Sequence, residues 1–314
     1  MLHSCVHSSP HGYHVVDEHT PLGPQSASSN HPTLRLKRRN SMQNIIRAGE
    51  KEPWIVGMSY NSARDELFFV DRRNHAVRVM RLRQNPIDLR DIYKAPHDKL
   101  PDVYTVCHMR DTDTLLVSSW EDGADGVDGS WLVALARNGP VWRETHRVQI
   151  EKPAYTCSVL SDSQVLVGQW YSTDLELYRV ESGRIVYVNR IHLPEQYKWF
   201  TATSSTDTCV ALFYDDDTVR VHRLHENKLD ELARMDAHAP RLVWLDGRLT
   251  VNEYDADMSS DAVIQLDVKG KELERRHELI ASSSGLRVGS WCPVDNGLAI
   301  FDYDSFEVLH YSFN

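Results

Sequence analysis

Five donors that could hold a soft metal ion crowd the start of the chain: His3, Cys5, His7, His11 and His14. Structural zinc sites space their ligands in short paired blocks, and this run follows no such block. It lies in residues 1–41, which hold six histidines with many Ser and Pro and no helix or strand period, the composition of a disordered tail. A second cluster, EDGADGVDG at residues 121–129, places Asp122, Asp125 and Asp128 at every third position between glycines. A calcium loop of the EF-hand kind needs oxygen ligands at alternate positions and a distal Glu, so the run reads as an exposed acidic turn. The five cysteines (Cys5, Cys107, Cys157, Cys209, Cys292) form no C-x-x-C pair, and three fall in apolar stretches, as buried inert thiols do. There is no G-x-S-x-G, P-loop, G-x-G-x-x-G or H-E-x-x-H motif. No catalytic residue, metal or cofactor is therefore assigned.

The elements that would position any site emerge from a repeat. The phrases TLLVSSW, QVLVGQW, CVALFY, LTVNEY and LAIFDY end at Trp120, Trp170, Tyr214, Tyr254 and Tyr303, at intervals of 50, 44, 40 and 49 residues. LFFVDR, ending at Arg72, is a sixth copy that keeps the apolar run and loses the aromatic. An extended stretch precedes each copy (WIVGMSY, VYTVCHM, AYTCSVL, WFTATSS, RLVWL, GLRVGSW), and another follows it after a polar turn (AVRVMRL, WLVALAR, LELYRV, TVRVHRL, AVIQLDV, FEVLHYSF). Five units add a polar fourth strand; KLDELARM and ELERRHELI fall there, and their place in the period outweighs their helical propensity. The second strand of each unit is apolar on both faces, so it must be covered on both sides.

Four antiparallel strands per 40 to 50 residues describe a β-propeller blade. The stretch RDELFFVDRRNHAVRVMRL resembles the units of six-bladed propellers of the NHL and YWTD kind, with an apolar strand, an Asp, a polar turn and a β-branched strand in order. The expected fold is all-β: a six-bladed propeller over residues 42–314, with four antiparallel strands per blade. The sixth unit has three strands, and MQNIIRA at residues 42–48 is expected to supply its fourth, closing the ring and protecting a sheet edge. The resemblance implies a binding role. Its second implication is a metal-dependent hydrolase or lactonase of the regucalcin or paraoxonase kind, with Glu, Asn and Asp around the axis. The residues leading into the first strands here are Pro53, Asp102, Pro153, Lys198, Arg241 and Gly285: one carboxylate and two cations, which repel a divalent ion.

The turns after the second strands are acidic, with Asp122, Asp125, Asp128, Asp215, Asp216, Asp217, Asp255, Asp257, Asp302 and Asp304. Asp favours turns through its own side-chain to backbone bonds, yet gathered on one rim these carboxylates create a negative field. The expectation is a protein-interaction scaffold that engages a protein or peptide, basic where it crosses this rim, flanked by aromatics such as Trp120 and Trp170. A formal charge of −10 and the lack of a basic stripe argue against nucleic acid. No apolar run reaches the ~18 residues of a membrane helix, and the start lacks a signal-peptide pattern, so a cytoplasmic setting without a membrane partner is expected. In KRRNSM, Arg38 and Arg39 precede Ser41 by three and two residues, the arrangement a basophilic kinase reads.

Overall fold

A computed structural model describes residues 33–42, 49–84, 87–94, 102–121, 129–161, 163–169, 172–203, 208–238, 241–254 and 260–314. These residues form strands, turns and two short 3-10 turns, with no α-helix among them and so none long and apolar enough to cross a membrane. After β1 (Leu34–Ser41), one antiparallel sheet holds β2 (Ile55–Asn61), β3 (Glu66–Asp71), β4 (Ala76–Arg81) and β5 (Arg90–Lys94). The next holds β6 (Asp102–Met109), β7 (Thr114–Glu121), β8 (Gly129–Asn138) and β9 (Val141–Ile150), and a third holds β10 (Ala154–Val159), β11 (Gln164–Gln169), β12 (Asp174–Glu181) and β13 (Arg184–His192). Two further four-strand meanders follow: β14 (Tyr197–Ala202), β15 (Cys209–Tyr214), β16 (Thr218–His225) and β17 (Lys228–Asp236), then β18 (Leu242–Leu245), β19 (Arg248–Tyr254), β20 (Asp261–Lys269) and β21 (Glu272–Ile280). These two are joined into one eight-stranded sheet where β17 and β21 run parallel at Arg234 and Glu272. The last sheet has the order β1-β24-β23-β22, with β22 at Val288–Val294, β23 at Gly297–Asp302 and β24 at Glu307–Phe313.

Why the chain folds this way is visible in the second strands. Every residue of β3, β15 and β23 is buried, so both faces of each strand meet other protein atoms. Along β3, Leu67 and Phe69 pack with Cys292, Ala299 and Phe301 of the last sheet, while Phe68 and Val70 pack with Val103, Leu115 and Val117 of the next. The period of two thus sends alternate side chains into two different interfaces. The same split recurs in β15, where Ala211 and Phe213 face the β18–β21 meander and Val210, Leu212 and Tyr214 face the β10–β13 sheet. The first strands also neighbour one another in order, β2 beside β6, β6 beside β10, and so on to β22 beside β2. This is propeller architecture. KLDELARM and ELERRHELI are extended, as β17 and β21.

The strand that completes the last sheet is not the expected one. Leu34–Ser41, read from composition as tail, pairs antiparallel with β24 from Leu34↔Phe313 to Ser41↔Glu307, with a bulge between Leu36 and Arg38. Residues 43–48 lie outside the described residues. The sequence of β1, LRLKRRNS, hides its strand character behind four cations because an outer strand buries little: only Leu34 and Asn40 are buried. Met42, 1% exposed, then plugs the interface between the last and first sheets, and its N–H donates to the Phe306 carbonyl at 2.9 Å. On the other side of β24, Gly297 is needed for close approach, since a Cβ there would fall 1.9 Å from the Tyr311 carbonyl oxygen.

Two outcomes follow from this packing. Deleting residues 1–41 strips the cover from β24 and is expected to lower stability by several kcal/mol and to promote aggregation, checked by thermal unfolding and light scattering. An unchanged melting temperature would show that β1 is dispensable. The second outcome concerns buried imidazoles. Burial lowers the pKa of His108, His310 and His222, the last to about 4. Below the unfolded value near 6.5 the unfolded chain binds protons that the folded chain refuses, so stability falls as pH drops towards 4. Asp71 and Asp261, raised by burial, act in the opposite sense, so the imidazole effect is read as a difference between proteins. Replacing His222, whose Nε2 lies 3.2 Å from the Tyr214 hydroxyl, by the non-titrating Gln is expected to remove about 2 kcal/mol of the loss between pH 7 and pH 5 in denaturant titrations.

Candidate functional site

The first strands β2, β6, β10, β14, β18 and β22 together line an axial cavity of about 450 Å³. Small residues let them converge. A Cβ at Gly57 would lie 3.1 Å from the Thr105 Cα, and hydroxyls knit one strand to the next. Ser59 Oγ accepts the His108 N–H at 3.0 Å, Ser158 Oγ accepts the Ala202 N–H at 3.2 Å, and Thr105 Oγ1 lies 3.5 Å from Cys157 Sγ. Among the described residues the cavity wall contains no Asp or Glu; its cations there are Arg110 and Arg241, and Tyr155, Trp199, Trp244 and Trp291 supply aromatic surface. Arg241 leads into β18. Its backbone N–H donates to Asn252 Oδ1 at 2.6 Å, and its guanidinium lies 5.0 Å from the centroid of the Trp199 ring. Burial pulls the guanidinium pKa below its ordinary value, with Tyr254 and Asp261 acting the other way.

Around the mouth the turns after the second strands are tied to the segments that lead into the first strands. Arg72 N–H donates to the Trp54 carbonyl at 2.9 Å, Asp215 N–H to Gln196 at 3.3 Å and Tyr303 N–H to Arg287 at 2.8 Å. Cations and rings meet here: the Arg72 guanidinium lies 5.1 Å from the Trp54 ring and 4.6 Å from that of Tyr104, and donates to the Tyr104 hydroxyl at 3.2 Å. Tyr104 in turn packs on Tyr155 with centroids 4.5 Å apart. Among the described residues, Trp54 at 38% and Tyr303 at 40% exposed are the accessible aromatics of this rim.

The acidic residues of these turns divide into two groups. Asp71, Asp261 and Asp302 are buried and structural. Asp71 accepts the Trp54 N–H at 3.2 Å and Asn74 Nδ2 at 2.8 Å, and pairs with Arg78 at 3.2 Å. Asp302 repeats the arrangement, accepting the Arg287 N–H at 3.1 Å and the Ser305 hydroxyl at 2.5 Å. Asp261 accepts the Val288 N–H at 2.6 Å and Asn252 Nδ2 at 2.8 Å. Asp215, Asp216, Asp217 and Asp304 are exposed, three of them beside cations: Asp216 pairs with Arg220, Asp217 with Lys198 at 2.9 Å, and Asp304 lies 3.9 Å from Arg287. Burial works to raise the Asp216 carboxyl, but hydrogen bonds from Thr218 and Arg220 outweigh it and hold it below the usual range. Asp122, Asp125, Asp128, Asp255, Asp257 and Trp170 lie outside the described residues, as does the side chain of Trp120, whose backbone pairs with Asp102. Tyr214 is fully buried between sheets, a packing residue.

Among the described residues no three His, Cys, Asp or Glu side chains gather as a metal site would need. Cys107, Cys209 and Cys292 are buried and Cys157 is partly buried, none of them in a disulfide. A hydrogen bond from Cys157, then burial, pushes the Cys107 thiol well up, and burial does the same to Cys292. These are poor nucleophiles. The feature missed in the sequence is the pairing of cations with rings at the mouth. Its signal was present in WIVGMSY, VYTVCHM, AYTCSVL and WFTATSS, whose aromatics fall in, or in the case of Trp54 just before, the strands that line the axis.

No described protein family matches the sequence, and no curated protein does. Solved structures do resemble the fold. A glucose dehydrogenase crystal structure matches with a TM-score of 0.61 and 10% identity, over 90% of this chain and 99% of that one. A chain of a mitotic checkpoint complex matches with a TM-score of 0.58 and 8% identity, over 96% and 98%. The structure of a Dos1 propeller matches with a TM-score of 0.51 and 10% identity, over 86% and 72%. The chain therefore has a propeller-type fold like those of enzymes and of members of assemblies alike, and at these identities the likeness extends to the fold alone.

Proposed function

We propose that the chain is a six-bladed β-propeller, its ring completed by Leu34–Ser41, that serves as a binding scaffold for a protein or peptide on the face bearing the axial mouth. The six interfaces between successive sheets, including the last against the first, support the blade count, and the link between β17 and β21 rests on a single paired position. The observation that carries the functional reading is the exposed Trp54 at the mouth, backed by the Arg72 guanidinium and the buried Tyr104 ring, since such side chains commonly anchor interfaces. The outer turn at Asp215, Asp216 and Asp217 adds carboxylates that would draw a basic stretch of the partner. The second reading is an axial metal-dependent hydrolase. The presence of Arg241 where such a site would gather carboxylates favours the scaffold.

Selecting peptides from a displayed library on the full chain tests this. Selected peptides are expected to weaken at least about tenfold on Trp54→Ala, as loss of an interface anchor does. Replacing Asp215, Asp216 and Asp217 by Asn together is expected to slow association and flatten its salt dependence as the Debye length shortens from about 30 Å at 0.01 M to about 8 Å at physiological salt. Binding indifferent to both sets would move the interface elsewhere.

Ser41 belongs to the same proposal as a point of control. It is the last residue of β1, opposite Glu307, and Arg39 of the kinase-like run pairs with that Glu at 2.9 Å. A phosphate of about −1.5 to −2 charge there would face a carboxylate and compete with strand pairing. Kinase treatment followed by mass spectrometry and thermal unfolding is expected to show modification at Ser41 with a lowered melting temperature. An unmodified Ser41 removes the idea.

A further inference from the structure

The wall of the axial cavity holds a guanidinium with no carboxylate paired to it. Arg241 is always charged, and no ion pair joins it to a carboxylate among the described residues. The indole Nε1 groups of Trp244 and Trp291 are buried out of reach of the cavity, so these residues offer it ring surface rather than donors. Among the described residues the wall offers no Asp or Glu. In a chain with a formal charge of −10, the axis is thus a locally positive pocket. Its rings supply flat apolar surface, and its volume of about 450 Å³ falls in the usual range for small-molecule sites.

We propose that this cavity binds a small organic oxyanion, a carboxylate or phosphate carried on a planar apolar body, with Arg241 as the anchor for the anionic group and Trp199, Trp244 and Trp291 as the wall against the body. The planar guanidinium fork matches the paired oxygens of either group, and its stacking on Trp199 fixes the plane in which a ligand must approach. A cationic ligand meets like charge at Arg241, and a neutral one leaves that charge unmatched. This site is separate from the partner contacts at Trp54 and Asp215–Asp217, and the two readings are tested with different variants.

The test uses the full chain with benzoate and phenyl phosphate as probes, and benzamide and benzylamine as neutral and cationic counterparts, followed by tryptophan fluorescence and indole N–H resonances. At least one anion is expected to saturate in the micromolar to millimolar range and to shift the Trp244 and Trp291 indole signals, with benzamide about tenfold weaker or more and benzylamine silent. Whichever anion binds tighter tells carboxylate from phosphate. Arg241→Gln is expected to weaken binding at least about tenfold, while Lys269→Gln, at the exposed end of β20, leaves it unchanged. Should Arg241→Gln fail to fold, the contrast between anion and benzamide on the unaltered chain decides. No saturable response to either anion, equal binding of benzamide, or full binding by a folded Arg241→Gln protein would each overturn the proposal.

Discussion

The structure depends on one constraint: second strands such as β3, β15 and β23 are buried along their whole length and cannot meet water on either face. A lone four-stranded meander with β3 or β23 at its middle would expose a row of Phe, Leu, Ile and Val on each side. Burial of such side chains is worth about 1.5–3 kcal/mol apiece, so the sheets must stack. Stacking alone leaves two bare faces at the ends of the pile. Phe69 and Leu67 of the first sheet pack with Ala299 and Phe301 of the last, with Met42 in the same cluster. Each interface is held by its neighbours.

Convergence at the axis then sets what the site can be. The first strands crowd together, so they use Gly57, Ser59, Thr105 and Ser158, and spend their hydroxyls on interstrand bonds. The wall they form carries aromatic and aliphatic surface together with Arg110 and Arg241. The carboxylates at this end are drawn away from the axis for structural reasons. Asp71 and Asp302 occupy matching positions at the ends of β3 and β23, each closing the first strand of its own sheet by accepting a backbone N–H. Asp71 further shares the buried Arg78 with Glu50 and Asp91, a set of charges that only pairing makes tolerable.

Much of the fold was legible because burial on both faces imposes an apolar run of fixed length, and five of those runs end on an aromatic. The helical propensity of KLDELARM and ELERRHELI was overridden by their place beside β16 and β20. The strand β1 was not legible, since a strand that buries only Leu34 and Asn40 carries almost no apolar signal and its cations imitate a tail. The site was read by residue type and so only in part. Asp is equally suited to exposed turns and to buried N–H acceptance, and the sequence does not distinguish Asp302, which is buried, from Asp304, which is exposed. Arg241 and Lys198 stood out as cations leading into first strands, but the rings beneath them, Trp199 and Phe213, lie one strand or more away in sequence.

The pairing of β1 with β24 also has a mechanical side. Leu34 lies opposite Phe313, and the side chain of Asn314 donates to the Thr33 hydroxyl at 3.0 Å, so residues 33 and 314 meet at the same end of an antiparallel pair. Tension applied between them pulls at right angles to the strands. The hydrogen bonds then break in turn, beginning at Leu34, rather than sharing the load as they would in shear. A strand held in this geometry peels under small force while resisting heat, and its release would uncover β24 without first disrupting any of the interfaces between the other sheets.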